Sequence, residues 1–312
     1  MFGELIGAWT AATWDLAGRP SPLRLIELGP GRGTMLADLM RATQKVPGFH
    51  RALDLHLVET SPVLRAVQQA AIHHPRTYWH EAVEDVPQDG YRLVLANEFL
   101  DTLPIRQLQW WSGRWHDRLV GLDEEGSFVF VADPRPSALA SASGTWPNDV
   151  VDGAVMEFAP AREAFIAQLS DGLAACGGSA LLIDYGDTDL APGDSLQAVR
   201  QHARVDPLSA PGEADLTSRV IFAPLLDVAR SRGVEVWGPV GQGEFLKRIG
   251  LDARLRQLCG RANPTQAASL RRGAERLASG EGMGELFKVV ALTTEVHGLP
   301  GFGADERWQG CG

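Results

Sequence analysis

The stretch Leu23–Met40, "LRLIELGPGRGTMLADLM", opens with an apolar run interrupted only by Arg24 and Glu27. It continues with Gly29, Gly31 and Gly33 at alternate positions and ends in an amphipathic segment. A short apolar run, a turn stripped of side chains and then apolar residues at helical spacing read as strand, tight turn and helix. In an open α/β sheet the first such turn borders the crevice beyond the carboxyl ends of the strands, where ligands bind.

Outward from that unit the rhythm repeats. The candidate strands are "LRLIEL", "LDLHLVE", "TYWHE", "YRLVLANE", "SALLIDYG", "VEVWGP" and "ELFKVVAL". Helical segments such as "TMLADLMRAT" and "SPVLRAVQQAAIHH" lie between several of them. Ser61 followed by Pro62 marks a helix start, because the serine oxygen accepts a free amide and proline fits the first turn. The alternation predicts an α/β fold with a largely parallel sheet.

Two segments break the rhythm. Residues 107–158 read as short strands separated by glycine and acidic turns, a β-rich insertion; residues 191–220 are too long and proline-rich for a plain connection. The sequence therefore divides into a core over 1–106 and 159–190, the two insertions, a C-terminal part of the core over 221–298 and a tail over 299–312 expected to be poorly ordered. Trp110, Trp111 and Trp115 are expected to pack the first insertion.

Composition narrows the function. The 312 residues carry a formal net charge of -10, which opposes binding to nucleic acid or an anionic membrane surface. The 3 cysteines, Cys176, Cys259 and Cys311, are too scattered for a disulfide framework or a zinc site. No run reaches the ~20 apolar residues of a membrane span, and "MFGELIGAWTAATW" lacks the basic start of a signal peptide. These features point to a cytoplasmic protein that needs no metal.

The glycine spacing separates two ligand classes. A dinucleotide fingerprint places its third glycine where Thr34 stands, which disfavours NAD or FAD. Gly29-x-Gly31-x-Gly33 after an acidic residue is the pattern of Rossmann-like enzymes that use S-adenosylmethionine. On that reading Glu27 faces the cofactor's cationic end, directly or through water. Glu59, closing the second strand, accepts from both ribose hydroxyls. Glu81 reaches toward the adenine edge, and Asn97 borders the site past the fourth strand.

The motifs "ELGPGRGTMLADLM", "LVETSPVLRAVQ", "ANEFLDTLPI", "LIDYGD", "PGEADLT" and "MGELFKVVAL" together resemble the MidA family, which includes a mitochondrial complex I assembly methyltransferase that acts on a protein arginine. The resemblance runs in order from Met1 to about Phe302. It implies a Rossmann-like class I methyltransferase with a seven-strand, mostly parallel sheet and family-specific insertions, S-adenosyl-L-methionine as cofactor, and a complex I subunit as protein substrate. Family members also carry a segment ahead of "MFGELIGAW" that the resemblance implies helps to close the cofactor site.

Methyl transfer from a sulfonium is an in-line displacement that needs alignment and charge placement. A guanidinium nucleophile calls for carboxylates beyond the fourth strand. Glu98 and Asp101 in "NEFLDTLP" are the catalytic candidates, with Asp101 alternatively bracing the turn before Pro104. His202 is a candidate proton acceptor or substrate-orienting group, with a structural role as the alternative. Asp184 and Tyr185 end the fifth strand and line the same mouth, with Asp184 alternatively fixing a loop. Asp215 and Thr217 read as family residues or a helix-start cap. Gln242 and Phe245 border the substrate entrance, the aromatic alternatively belonging to the core. Two rivals stand beside the enzyme reading: a cofactor-binding assembly factor without turnover, and a nucleotide-dependent oxidoreductase.

Overall fold

The structure, a computed structural model, describes residues 1–142, 150–201, 203–296 and 298–310. The strands in chain order are β1 (Leu23–Leu28), β2 (Leu53–Val58), β3 (Thr77–His80), β4 (Tyr91–Asn97), β5 (Arg106–Trp111), β6 (Arg114–Leu122), β7 (Phe128–Pro136), β8 (Val155–Phe158), β9 (Gly178–Asp187), β10 (Gln197–Arg200), β11 (Ala203–Val205), β12 (Asp215–Thr217), β13 (Val220–Ile221), β14 (Glu235–Gly241) and β15 (Phe287–Thr293). The helices are α1 (Phe2–Leu16), α2 (Thr34–Thr43), α3 (Phe49–Ala52), α4 (Pro62–Ala71), α5 (Ala138–Ala142), α6 (Pro160–Cys176), α7 (Phe222–Ser231), α8 (Gln242–Arg248), α9 (Leu251–Cys259), α10 (Pro264–Ala278) and α11 (Met283–Leu286).

The main sheet runs β14-β15-β9-β4-β1-β2-β3, with β13 added along β9. β1, β2, β3, β4 and β9 pair in parallel, whereas β15 is antiparallel to both β9 and β14. All seven strands read from the sequence lie in this sheet. The fold is the Rossmann-like α/β arrangement that the resemblance implies.

Alternation along each strand feeds two helix layers. Leu23 and Leu25 face a core shared with α1, α2 and α8, including Trp9, Leu39 and Phe245. Ile26 and Leu28 face the other core, built with α6 and α7 around Ile166, Leu173 and Phe222. Ser61 caps α4 as read, its Oγ accepting the Leu64 N–H at 3.3 Å, with Pro62 in the first turn.

Helix α1 is a finding the sequence reading lacks. A Cβ at Gly3 would lie 2.7 Å from the Met35 carbonyl oxygen, and one at Gly7 would lie 2.9 Å from Leu39 Cα. The two glycines therefore let α1 cross against α2 at backbone contact.

Arg106–Phe158 contains a four-stranded antiparallel sheet in the order β7-β6-β5-β8. Trp110 and Trp115 meet edge to face at 5.3 Å in its small core with Leu108 and Met156, while Trp111 remains 48% exposed. β10, β11 and β12 form a separate three-stranded sheet.

The segment after Leu299 differs from the expected loose tail. Through Gly310 it is held down: the Trp9 indole donates to the Pro300 carbonyl at 3.0 Å, the Trp308 amide donates to the Val236 carbonyl at 2.9 Å, and Phe302 packs on Phe245. Phe302 packs on the first core and Trp308 on the second, which explains the order.

Candidate active site

The turn after β1 is left-handed at Gly29, Gly31 and Gly33, with φ of 58°, 53° and 73°. A Cβ at Gly31 would meet no protein atom within 4 Å, because that position opens into a cavity of about 510 Å³. The cavity is lined by Gly29, Gly31, Glu59, Glu81, Glu98 and Phe99, among others, and its volume suits a small-molecule cofactor. A side chain at position 31 would project into this space. Gly33 lies outside the lining; there a Cβ would come within 3.1 Å of Ile72 Cδ1, so this glycine serves the packing of the turn against α4.

Glu59 closes β2 at the cavity wall and is 9% exposed. Its Oε1 accepts the Ser61 N–H at 2.9 Å and its Oε2 accepts from Gln68 Nε2 at 3.3 Å. The same amide nitrogen donates to the Gly31 carbonyl at 2.8 Å, while Gln68 Oε1 accepts from the Trp79 indole at 2.9 Å. Gln68, fully buried, thus ties the glycine turn, Glu59 and β3 into one rigid wall. Sequence reading missed it because a glutamine in an amphipathic helix looks like a solvent residue.

The remaining cofactor candidates are placed unequally. Glu81 lines the cavity from the far side with a mostly exposed side chain, 3.7 Å from the Arg65 guanidinium. Asn97 lies outside the lining and its Nδ2 donates to Glu98 Oε1 at 3.2 Å. Glu27 differs from the sequence expectation. It shares strand parity with Leu23 and Leu25 rather than with Leu28, which faces the cavity, and it is 3% exposed with Oε2 lacking a hydrogen-bond partner. Burial alone pushes its pKa up to about 8, so the side chain is protonated at neutral pH.

Beyond β4 the chain turns through Glu98, whose φ of 51° is unusual for a residue with a side chain, into the single turn Leu100–Thr102. Asp184, three residues before the end of neighbouring β9, shapes this turn. Its Oδ2 accepts the N–H of Phe99 at 3.2 Å and of Asp101 at 3.1 Å, and its Oδ1 accepts the Tyr185 N–H at 2.9 Å. Asp101 is 5% exposed and its Oδ1 has no partner. Burial raises the pKa of both aspartates, and each repels charge on its neighbour: Asp184 feels Asp101, and Asp101 feels Glu98.

Arg162, 2% exposed on α6, sits behind the pair. It donates to the carbonyls of Leu100, Asp101, Ser218 and Arg219 and to Ser218 Oγ, fastening the turn to the segment before β13. The Tyr185 hydroxyl donates to Thr217 Oγ1 at 3.2 Å and accepts from Gln197 Nε2 at 3.1 Å, which links β9 to the three-stranded sheet. Glu98 is thus the catalytic candidate in the cavity lining, with Asp101 buried behind it. His202 lies outside the described residues.

Other sequence candidates land elsewhere. Asp215 and Thr217 form β12 and start no helix. Gln242 and Phe245 are both buried, Gln242 donating to the Leu277 carbonyl at 2.8 Å, so they belong to the core rather than to an entrance. Among the described residues no group of three side chains is arranged to hold a metal ion, and no helix is long and apolar enough to cross a membrane.

Residues 5–240 match the model of a family described as "Putative S-adenosyl-L-methionine-dependent methyltransferase". The chain is 35% identical over 320 residues to "Protein arginine methyltransferase NDUFAF7 homolog, mitochondrial" of Drosophila melanogaster, covering 94% of this chain and 72% of that protein. It is 32% identical over 317 residues to the Homo sapiens "Protein arginine methyltransferase NDUFAF7, mitochondrial", covering 94% and 71%. A crystal structure of a "likely methyl transferase" from Burkholderia thailandensis bound to S-adenosyl-homocysteine superimposes with a TM-score of 0.84 at 27% identity, covering 99% of this chain and 80% of that one. The mitochondrial designation of these relatives overturns the expectation of a cytoplasmic protein. Few cysteines and no long apolar run speak to redox state and membrane spanning, and neither separates one reducing compartment from another.

Proposed function

The chain belongs to the MidA family of S-adenosyl-L-methionine-dependent methyltransferases, and on that premise we propose that it methylates an arginine side chain of a protein partner. It is a methyltransferase whose cofactor is S-adenosylmethionine, and the oxidoreductase reading falls away. The open space at Gly31, facing a 510 Å³ cavity walled by Glu59, fits that cofactor. When bound, the cofactor supplies an electrophilic methyl group on a sulfonium.

The protein's own residues divide the remaining work. Gly29 and Gly31 leave room for the amino-acid part of the cofactor, and Glu59, held by Ser61 and Gln68, accepts from the ribose hydroxyls. Glu98 in the cavity lining binds the substrate guanidinium through paired hydrogen bonds and offsets the repulsion between that cation and the sulfonium. Asp101, with a raised pKa, accepts the proton that the methylated nitrogen gives up.

The observation that carries the arginine reading is the acidic lining of the cavity, where Glu98 faces the same space as Glu59, Glu81 and Glu84. The relatives' designation as protein arginine methyltransferases supports the same substrate class. We infer further, from the family resemblance, that the partner is a subunit of respiratory complex I. Incubation with methyl-labelled cofactor and protein from the source organism, followed by mass spectrometry, tests the assignment. Label on arginine is expected; label on another residue type overturns the substrate, and tight cofactor binding without label favours the assembly factor.

A further inference from the structure

The β6–β7 hairpin carries apolar side chains on both of its faces. Its ladder opposes Leu119 to Val131, Val120 to Phe130, Gly121 to Val129 and Leu122 to Phe128. Alternation therefore puts Val120, Leu122, Phe128 and Phe130 on one face, and Leu119, Val129 and Val131 on the other. Leu119, Val120, Leu122, Phe128 and Val131 are between 39% and 64% exposed. The core of this sheet lies at its root, around Leu108, Trp115 and Met156. Among the described residues β7 is the outer strand, with only β6 beside it. An uncharged run of Phe128, Val129, Phe130 and Val131 on a sheet edge is a template for another strand, and soluble proteins rarely leave one open.

We propose that β7 pairs antiparallel with β7 of a second copy of this chain, about a two-fold axis through Phe130. The pairing makes one continuous sheet of the two insertions. It satisfies the free edge and extends both apolar faces with their own equivalents, which a ligand lying on one face would not do.

Geometry and charge select the register. In an antiparallel ladder opposed residues share a face, and a two-fold axis normal to the sheet keeps each face on its own side. The axis must therefore pass through a residue, not between two. Centring on Val129 would oppose Glu125 to the partner's Asp133, a like-charge pair repeated by symmetry. Centring on Val131 would bring Pro134, which lacks an N–H, opposite the partner's Phe128. Centring on Phe130 opposes Phe130 to itself, Val129 to the partner's Val131 and Ser127 to the partner's Asp133, with no like charges opposed in the ladder. The Arg118 guanidinium that lies 3.9 Å over the Phe130 ring is neutralised by its ion pair with Asp194. Pro134 and Pro136 then end the ladder. The contact is short and each chain carries a formal charge of -10, so the dimer is weak, concentration-dependent and strengthened by salt.

Sedimentation velocity over a concentration series tests this. The parent protein should shift from monomer toward dimer as concentration rises, and further at higher salt. Val131→Lys and Phe128→Lys should remain monomeric while binding S-adenosyl-homocysteine as the parent does, which shows that they are folded. Phe130→Cys should form a disulfide-linked dimer under mild oxidation, because facing residues on the axis lie within disulfide reach, whereas Leu119→Cys, one strand inward, should not. A parent that stays monomeric overturns the proposal, and so does a dimer that survives both lysine variants. A dimer in which Phe130→Cys does not cross-link overturns the register.

Discussion

Asp184 Oδ2 accepts the backbone N–H of Asp101 at 3.1 Å, so a carboxylate three residues before the end of β9 sets the shape of the turn that follows β4. Both Asp184 oxygens face amide donors, from Phe99, Asp101 and Tyr185. An asparagine there would turn an NH2 group against at least one of those donors. Asp184→Asn should therefore lower stability by about 1–3 kcal/mol, the cost of a buried mispaired polar group, read from the denaturant midpoint. An unchanged midpoint would show that the turn holds without it.

Glu98→Gln keeps the shape of the side chain and removes the charge proposed to hold the guanidinium. Turnover should fall by roughly a hundredfold or more while S-adenosyl-homocysteine affinity stays near that of the parent. Parental turnover would remove Glu98 from the chemistry, and lost cofactor binding would move it into the cofactor shell. Asp101→Asn should slow transfer most above about pH 6, where the parent carboxylate is ionised and able to accept a proton, and differ little from the parent below it. A rate ratio that does not change with pH would contradict the proton-acceptor role.

Glu59→Ala should weaken cofactor binding ten- to a hundredfold, equivalent to about 1.5–3 kcal/mol for a hydrogen-bonded charged group. The loss of its bonds to Ser61 and Gln68 also predicts a lower denaturant midpoint. Calorimetry with S-adenosyl-homocysteine separates the two effects, and an affinity equal to the parent's would leave Glu59 as wall alone.

Buried groups give the stability pH dependences of both signs: Glu27, with Asp101 and Asp184, on the alkaline side and His56 on the acid side. Glu27 titrates near 8 in the fold against an ordinary value of 4.5. The unfolded chain therefore releases this proton first, and stability is lost as pH rises from about 4.5 through 8. The full effect is on the order of several kcal/mol. His56, desolvated and bonded to His80 at 2.9 Å, is pushed down to about 4, so its contribution is lost as pH falls from 6.5 toward 4. Glu27→Gln should lessen the alkaline limb in denaturation measured at pH 5, 7 and 9, the buried Asp101 and Asp184 keeping the remainder. A parent protein as stable at pH 9 as at pH 5 would contradict the buried carboxylate.

The sheet was legible because each core strand is a short apolar run bounded by turn residues, and the cofactor turn because three glycines at alternate positions follow the first of them. Helix α1 was not. It is buried nearly all round and its glycines touch α2, so no amphipathic stripe marks it. Gln68 and Arg162 were missed for a related reason: polar residues on helices read as solvent-facing until the fold closes over them. Glu27 was identified as important but assigned a different environment, because which strand parity faces the cavity depends on where the helix layers fall.

The central claim is that the turn at Gly29–Gly33 and the cavity beside it hold the methyl donor. Calorimetric titration of S-adenosyl-homocysteine into the parent protein and Gly31→Val tests it most directly, with circular dichroism as the check on folding. The account predicts saturable one-site binding by the parent and none by the folded variant, whose side chain would occupy the cofactor's space. Equal affinity in the two proteins would contradict it.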